Sequence, residues 1–316
     1  MQDHEKAPYL ELDNYKAPIG INSNYIKMKD GKRIRLISWK LFNDNEGSGT
    51  ILIQQGHNEF IEKYYETIQE FIDRKYNVVA FDWRGQGMSE RMIDDNRKQY
   101  IEDFNIHIDD LEFILDNVIF KNLNKPLIGI GHSMGGCIIL SALKFHADKF
   151  DKIILSAPML GFRSEKLLMI LIDIFYLFLP KSLFLPGSKP NMGKETPFNE
   201  NDLTTDEKRY KRTQKLVRLK KDIRLWGITV AWAKAVKNQF KIIRNEEWLK
   251  NIKSEILILN SINDRVVSSK HIIETAKKLR NKKIINFKNC EHEIFMERDI
   301  HRKKMWDEID KFLKDY

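Results

Sequence analysis

A short glycine-rich sequence, Gly131-His132-Ser133-Met134-Gly135-Gly136, restricts the folds open to this chain more than any other feature. The apolar run 126–130 before it predicts a short buried strand, and residues 137–143 after it predict the start of a helix. A G-x-S-x-G pattern between a strand and a helix is typical of a nucleophile elbow, a tight turn that exposes the serine hydroxyl. The elbow therefore predicts a nucleophilic Ser133. A glycine-rich turn without a chemical role is the alternative.

The same glycines do not fit a nucleotide-binding loop. Neither Gly129 nor Gly131 begins a G-x-G-x-x-G pattern, and the chain contains no G-x-x-x-x-G-K-S/T pattern. The segment 192–195 has a glutamate where a phosphate-binding loop needs a hydroxyl residue after its lysine. We therefore do not expect a nucleotide-dependent enzyme.

Length and cysteine content limit the class of protein. The 316 residues, 42% of them hydrophobic, suffice for one large domain with an insertion. We expect Cys137 and Cys290 to be buried free thiols rather than a disulfide, which fits a reducing compartment. The first residues are charged and no apolar stretch follows them, so we expect no secretory signal. These features predict a cytoplasmic protein, with a peripheral position on the inner face of the membrane as a second alternative.

The formal net charge of +9 raises the question of anionic partners. Its strongest local source is a basic cluster, which we define as Lys208, Arg209, Lys211, Arg212, Lys215, Arg218, Lys220 and Lys221. The cluster is either a solvated helix face or a surface that attracts an anionic membrane or a substrate phosphate. The sequence contains no recognisable nucleic-acid-binding module, so we expect no DNA or RNA partner.

Strand and helix signals alternate along most of the chain, as expected for a largely parallel sheet covered by helices. The expected strands are 33–39, 49–54, 77–81, 126–130, 152–156, 255–260 and 283–287. The expected helices are 61–73, 101–118, one from 137, 268–280 and 300–313. This pattern predicts an α/β fold.

Strand signals are absent between about Gly161 and Phe240. We predict a core in two parts, residues 1–160 and 241–316, with a helical cap inserted at 161–240. An insertion at this point lies over the carboxyl ends of the strands, where open α/β sheets bind their ligands.

The segment Leu167–Leu179 is the most apolar part of the predicted cap. It is too short for a membrane span, which needs about 20 residues, and Asp173 interrupts it. Three interpretations stay open. The segment is a helix packed on the core, a wall of an acyl-chain tunnel, or a surface that enters the membrane interface.

A nucleophilic serine of this kind needs a histidine base later in the chain. His271 and His301 fall inside expected helices, where we expect them to be exposed. His292 lies in a loop between the last expected strand and the last helix, from which a general base can reach over the strand ends. We therefore predict His292 as the base.

The acid that orients the base should lie between the serine and the histidine in the chain. Asp264 follows the expected strand 255–260 directly and is our candidate. An aspartate at this place can instead cap the next helix, but Ser268 or Ser269 is better placed to do so.

Two backbone N–H groups are expected to form an oxyanion hole. One belongs to Met134, the residue after the serine, and the other to His57, in the loop after an early strand. A simple turn at Gly56 is the alternative interpretation of that loop.

The motifs resemble those of the bacterial lysophospholipase branch of the α/β-hydrolases, which is close to the monoacylglycerol lipases. The matching segments are Gln55–Tyr64, Asp82–Ser89, Gly131–Gly136, Ser156–Met159, Pro197–Asp206 and Gly227–Trp232. The similarity extends from about residue 14 to 312. The elbow is shared by many hydrolases, whereas 197–206 and 59–64 are more specific.

The resemblance implies Ser133 as nucleophile, Asp264 as acid and His292 as base. It also implies that the backbone N–H groups of His57 and Met134 form the oxyanion hole. One departure concerns the oxyanion loop, since related lipases carry His-Gly with a further glycine two positions on. This chain has Gln55-Gly56 and Asn58 there.

The activity that follows is hydrolysis of a carboxylic ester through an acyl-Ser133 intermediate, with a single-chain lipid such as a lysophospholipid as the substrate. Monoacylglycerol or a soluble short-chain ester is the nearest alternative substrate, and an aminopeptidase activity is a more distant one. No metal or organic cofactor is implied. A non-catalytic binding protein of the same fold is the rival from another class, although such a protein would be expected to lack a triad member.

Overall fold

The computed structural model describes residues 5–43, 46–123, 125–146, 148–163, 165–188 and 194–314. Eight of its strands form one sheet, and two short strands pair separately. The strands are β1 (Ile21–Lys27), β2 (Arg33–Trp39), β3 (Thr50–Gln54), β4 (Asn77–Phe81), β5 (Lys98–Gln99), β6 (Leu127–His132), β7 (Lys152–Ser156), β8 (Gly227–Ile228), β9 (Glu255–Ser261) and β10 (Lys282–Phe287).

The main sheet has the order β1-β2-β4-β3-β6-β7-β9-β10. Strands β1 and β2 are antiparallel to their neighbours, and all pairs from β4 to β10 are parallel. The parallel strands therefore bring their carboxyl ends to one edge of the sheet, where ligands bind in folds of this type. This arrangement confirms the predicted α/β class with a mostly parallel sheet.

Helices cover both faces of the sheet. They are α1 (Tyr65–Asp73), α2 (Asn105–Ile114), α3 (Phe120–Asn122), α4 (Met134–Ala142), α5 (Glu165–Phe178), α6 (Glu207–Leu219), α7 (Val230–Ile243), α8 (Glu246–Leu249), α9 (Ser269–Lys278) and α10 (Asp299–Leu313). Helices α1 and α10 pack on one face, where Phe71 and Trp306 meet edge to face at 4.8 Å. Helices α2, α4, α7 and α9 contribute to the core on the other face. Side chains of β3 alternate between these two cores, as the period of a strand requires.

The expected strands 33–39, 77–81 and 152–156 coincide with β2, β4 and β7. Strand β1 was not predicted, because Asn22, Ser23 and Asn24 interrupt the alternation of apolar and polar residues at this sheet edge. The helix expected from residue 101 begins at Asn105, whose backbone N–H donates to the Asp103 carboxylate at 2.9 Å.

The chain between β7 and β9 contains helices α5 to α8. The expectation that this stretch lacks strands was wrong in one place, because β8 pairs in parallel with β5. This stretch also packs near the carboxyl edge of the sheet, where Thr204 donates to the Met296 carbonyl at 2.7 Å and Glu293 N–H donates to the Leu203 carbonyl at 2.7 Å.

Helix α5 includes most of the apolar segment 167–179 and has two unlike faces. Ile172 is buried against α7, whereas Leu167, Leu177 and Phe178 are 69%, 75% and 75% exposed. The Asp173 carboxylate, which interrupts the apolar run, accepts from Lys234 at 2.7 Å and also pairs with Lys237. Among the residues that the structure describes, no helix is long and apolar enough to cross a membrane.

Candidate active site

Ser133 lies at the sharp turn between β6 and α4. Its φ of +49° and ψ of −113° are unusual for a residue with a side chain, and such backbone strain concentrates at functional sites. Backbone hydrogen bonds hold the turn: Ser133 N–H donates to the Ser156 carbonyl at 3.0 Å, and its own carbonyl accepts from Cys137 and Met159. The turn therefore presents the serine hydroxyl at the carboxyl edge of the sheet.

The glycines of the motif are required by close backbone contacts. A Cβ on Gly131 would lie 2.6 Å from the Gly136 Cα, and a Cβ on Gly135 would lie 2.2 Å from the Gln54 carbonyl oxygen. Neither contact can be relieved by a side-chain rotation, because each involves backbone atoms. The positions of Gly131 and Gly135 in the motif are therefore explained by the close approach of β6 to α4 and of α4 to β3.

His292 and Asp264 form a buried hydrogen-bonded pair. His292 Nδ1 lies 2.7 Å from Asp264 Oδ2, while Asp264 Oδ1 accepts from the backbone N–H of Val266 and Val267 at 2.8 and 2.9 Å. Helix α9 is capped by Ser268 instead, which leaves the Asp264 carboxylate for the histidine. Since Nδ1 faces the carboxylate, Nε2 is the nitrogen of His292 that is left for proton transfer.

The charges around the pair stabilise the protonated form of His292 relative to a histidine in water. Burial alone lowers the pKa of His292, but Asp264, followed by Glu293 and Glu59, outweighs it and raises the pKa above the ordinary value. Burial raises the pKa of Asp264, but His292 and the two backbone N–H donors lower it below the ordinary value. The pair is thus arranged to stabilise an imidazolium beside a carboxylate.

The loop after β3 carries the second predicted oxyanion donor. The Gln86 side chain holds this loop through two hydrogen bonds. Its Nε2 donates to the Gly56 carbonyl at 2.8 Å, and its Oε1 accepts from Asn58 N–H at 3.1 Å. Trp83 Nε1 donates to the Gln55 carbonyl at 2.9 Å. These bonds brace a loop in which Asn58 has a φ of +60°. On the other side, Met134 is the first residue of α4, and its N–H lacks a partner within the helix.

A buried charge network behind the loop was missed from the sequence. Lys63 Nζ lies 2.6 Å from Glu59 Oε1 and 2.5 Å from Glu293 Oε1, and Glu59 Oε2 also accepts from Gly56 N–H at 2.6 Å. Burial raises the pKa of Glu59, but Lys63 and His132 outweigh it and lower the pKa to about 2. Glu59 therefore links the oxyanion loop to the residue that follows His292.

In the part of the chain that the structure describes, two groups of side chains have the donor types of a metal site. In the first, Glu59, His132 and Glu293 place one donor atom each within 4.8 Å of one another, but the Lys63 ammonium already pairs with both carboxylates. The second is Cys290, Glu297 and His301, in which Glu297 accepts from Glu291 N–H at 2.7 Å.

A cavity of about 260 Å³ opens over these residues. Ser133, His292 and His57 line it, together with the network residues Glu59, Lys63 and Glu293. Its apolar lining consists of Phe60, Met159, Phe162, Leu203, Val217, Trp232, Val266, Val267 and Met296. Ligand pockets are typically about 300–1,000 Å³, so this one is small for a whole lipid.

Other residues singled out in the sequence lie elsewhere. His271 and His301 are partly buried rather than exposed, and neither lines the cavity. In the described part of 167–179, no residue lines it either, so we do not retain the acyl-tunnel interpretation of this segment. Cys137 and Cys290 are buried free thiols.

The basic cluster divides into two sets. Arg209 is buried in ion pairs with Glu66, Asp206 and Asp299, so it is a structural residue of α6. The Lys211 and Lys215 side chains are exposed and line a second, more open cleft.

Comparisons with known proteins agree with this geometry. Residues 45–299 match the Hydrolase_4 family, described as serine aminopeptidase, S33. The chain is 26% identical over 274 residues to the probable lysophospholipase L2 of Haemophilus influenzae, covering 83% of each chain. It is also 26% identical over 270 residues to lysophospholipase L2 of Escherichia coli, covering 80% of this chain and 76% of that one.

Among solved structures, the fold resembles a soluble variant of monoglyceride lipase from Saccharomyces cerevisiae. The TM-score is 0.73 at 17% identity, with 97% of this chain and 99% of that chain covered. The likeness extends over the sheet and over the insertion that follows β7. The chain therefore belongs to the Hydrolase_4 family and has the fold of the α/β-hydrolases.

Proposed function

We propose that this protein hydrolyses the carboxylic ester of single-chain lipids, with lysophospholipids as the principal substrates. The observation that carries the proposal is that His292, which hydrogen-bonds to Asp264 at 2.7 Å, lines the same cavity as the strained Ser133. Acyl transfer needs a nucleophile, a base that takes its proton, and an acid that orients the base. The chain order serine, aspartate, histidine is the one expected for this fold. The names of the relatives support a lipid ester as the substrate.

The proposed reaction has two halves. In the first, Ser133 Oγ attacks the ester carbonyl while His292 Nε2 takes the serine proton and passes it to the leaving alcohol. In the second, His292 removes a proton from water, which attacks the acyl-Ser133 ester and releases the fatty acid. The backbone N–H groups of His57 and Met134 are the proposed donors to the oxyanion in both halves.

We also propose that residues 161–240 act as a cap over a core formed by 1–160 and 241–316. The support is that Tyr210, Gln214, Val217 and Trp232 of this stretch line the same cavity as Ser133. A cap of this kind shields the site from bulk solvent and selects the substrate.

A panel of substrates tests the proposed function. We expect higher kcat/KM for lysophosphatidylcholine and lysophosphatidylethanolamine than for monoacylglycerols, nitrophenyl acetate and an aminoacyl anilide. The efficiency should increase with acyl-chain length over several carbons, because each buried methylene contributes about 0.8 kcal/mol. A preference for acetyl esters, or for the anilide, would replace the lipid substrate by a small ester or a peptide.

The exposed face of α5 leads to a further proposal about where the enzyme works. Leu167, Ile170, Ile174, Leu177 and Phe178 share this face and are all exposed. Exposed apolar surface on a helix of a protein with a net charge of +9 is suited to the interface of an anionic bilayer. We propose that this face contacts the membrane from which the substrate is taken.

Vesicle sedimentation tests the membrane contact. We expect the protein to sediment with vesicles that contain phosphatidylglycerol, and replacement of Leu167, Ile170, Leu177 and Phe178 by serine to weaken this binding at least about tenfold. The matched control replaces Ile19 and Ile300, which are equally exposed elsewhere on the protein. Equal binding by both variants would contradict the proposal.

A further inference from the structure

Among the described residues that line the cavity, one cation has no carboxylate partner, whereas the other two have at least two each. Arg224 lines the cavity with Ser133 and His292, and it is partly buried. Its Nη1 donates to Gln214 Oε1 at 3.3 Å. Within the described ranges of the chain, no carboxylate forms an ion pair with this guanidinium, which has five N–H donors in all.

The neighbouring carboxylates are already occupied. Glu293 pairs with Lys63 at 2.5 Å, and Glu195 pairs with Arg218 at 2.5 Å. Arg209, the other arginine in the lining, has three carboxylate partners. Burial lowers the pKa of Arg224, although Tyr210, Glu293 and Glu195 act in the opposite direction. An arginine nevertheless stays charged at neutral pH.

A cation that is partly removed from water without a counterion destabilises the empty protein, because lost hydration is not compensated. A ligand that brings an anion to it recovers this free energy on binding. The planar guanidinium fits a phosphate best, since two parallel N–H donors match two phosphate oxygens. Thr213 and Gln214 of α6 also line the cavity and add polar groups, and Gln214 contacts Arg224.

We propose that Arg224 binds the phosphodiester of the substrate and so selects lysophospholipids over monoacylglycerols. In a lysophospholipid only a three-carbon glycerol unit separates the scissile ester from the phosphate, so both groups must fit one cavity. Ser133 and Arg224 both line this cavity of about 260 Å³, as the short spacing of ester and phosphate requires. The inference rests on the proposed function, because it assumes that Ser133 attacks the ester in this cavity.

A pair of matched variants tests this role. We expect Arg224→Gln to lower kcat/KM for lysophosphatidylcholine about 10- to 100-fold, the range for a lost hydrogen bond to a charged group. Hydrolysis of a monoacylglycerol with the same acyl chain, and of nitrophenyl butyrate, should stay within about twofold, which also shows that the variant is folded. Both lipids are used below their critical micelle concentrations. The control is Arg33→Gln, which removes an exposed arginine that pairs with Glu5 and does not line the cavity.

Inhibition by glycerol 3-phosphate gives a second measurement that does not depend on lipid turnover. It should compete with nitrophenyl butyrate in the wild-type protein, more weakly in Arg224→Gln, and glycerol should not compete. Equal losses on both lipids in Arg224→Gln, or unchanged inhibition by glycerol 3-phosphate, would overturn the role of Arg224. If the wild-type protein cleaved nitrophenyl butyrate but neither lipid, the proposed function would fail, while the inhibition experiment would still decide whether Arg224 binds phosphate.

Discussion

Replacing Ser133 by alanine should lower ester hydrolysis by about 10⁴- to 10⁶-fold, because no other group in the proposed mechanism can form the acyl-enzyme. His292→Ala should cause a loss of similar size. The double variant should be no worse than either single variant, since the members of a triad act as a unit. Initial rates with lysophosphatidylcholine measure these losses, and thermal melting shows whether the variants are folded.

His57→Ala is the control for this experiment. The proposed role of His57 belongs to its backbone N–H, and burial lowers the pKa of its side chain to about 4, so the ring is neutral at working pH. Its ring packs on Trp232 with centroids 4.9 Å apart, so the substitution should alter substrate fit more than chemistry. If His57→Ala removed activity as thoroughly as His292→Ala, the assignment of base and backbone donor would be wrong.

Asp264→Asn should reduce kcat by about 10⁴-fold and also move the acid limb of the pH profile. His292 must be neutral to accept the serine proton, so kcat/KM falls as the pH drops through its pKa, which is raised above the ordinary value. The asparagine removes the strongest interaction that raises this pKa, while burial, which lowers it, stays. The acid limb of the variant should therefore lie at lower pH than in the wild-type protein.

The pH profile of residual hydrolysis, measured with nitrophenyl butyrate, decides this prediction. Glu293→Gln serves as the comparison, since Glu293 also raises the pKa of His292 but does not hydrogen-bond to it. It should shift the acid limb in the same direction by less. An acid limb that stays in place in Asp264→Asn would mean that another carboxylate orients His292.

The sequence predicted the sheet well because buried parallel strands are short apolar runs between turns, as in β4, β7 and β9. It failed at β1, β5 and β8, where few apolar residues mark the strand and pairing with another segment decides the structure. The helices that cover the sheet were predictable for a different reason, since their apolar residues recur with the 3.6-residue period of a helix, as in α1.

Only those residues of the candidate site were predictable that chain order and position in a loop identify. Ser133, Asp264 and His292 were chosen by their places after strands; in the structure Ser133 and His292 line one cavity, and Asp264 hydrogen-bonds to His292. The link from Glu59 through Lys63 to Glu293 joins residues from opposite ends of the chain, so no local pattern contains it. Arg224 was missed because it is distinguished by the lack of a carboxylate partner among the described residues, and no sequence pattern shows this.

Labelling with a fluorophosphonate tests the central claim, a nucleophilic Ser133, most directly. Intact-mass analysis should show one phosphonyl adduct, and peptide mapping should place it on Ser133. Asp264→Asn should react far more slowly, and Ser133→Ala should not react. A wild-type protein that hydrolyses esters without forming an adduct, or that carries the adduct on another residue, would contradict the account. So would a protein that neither reacts nor hydrolyses esters, which would instead be a binding protein with this fold.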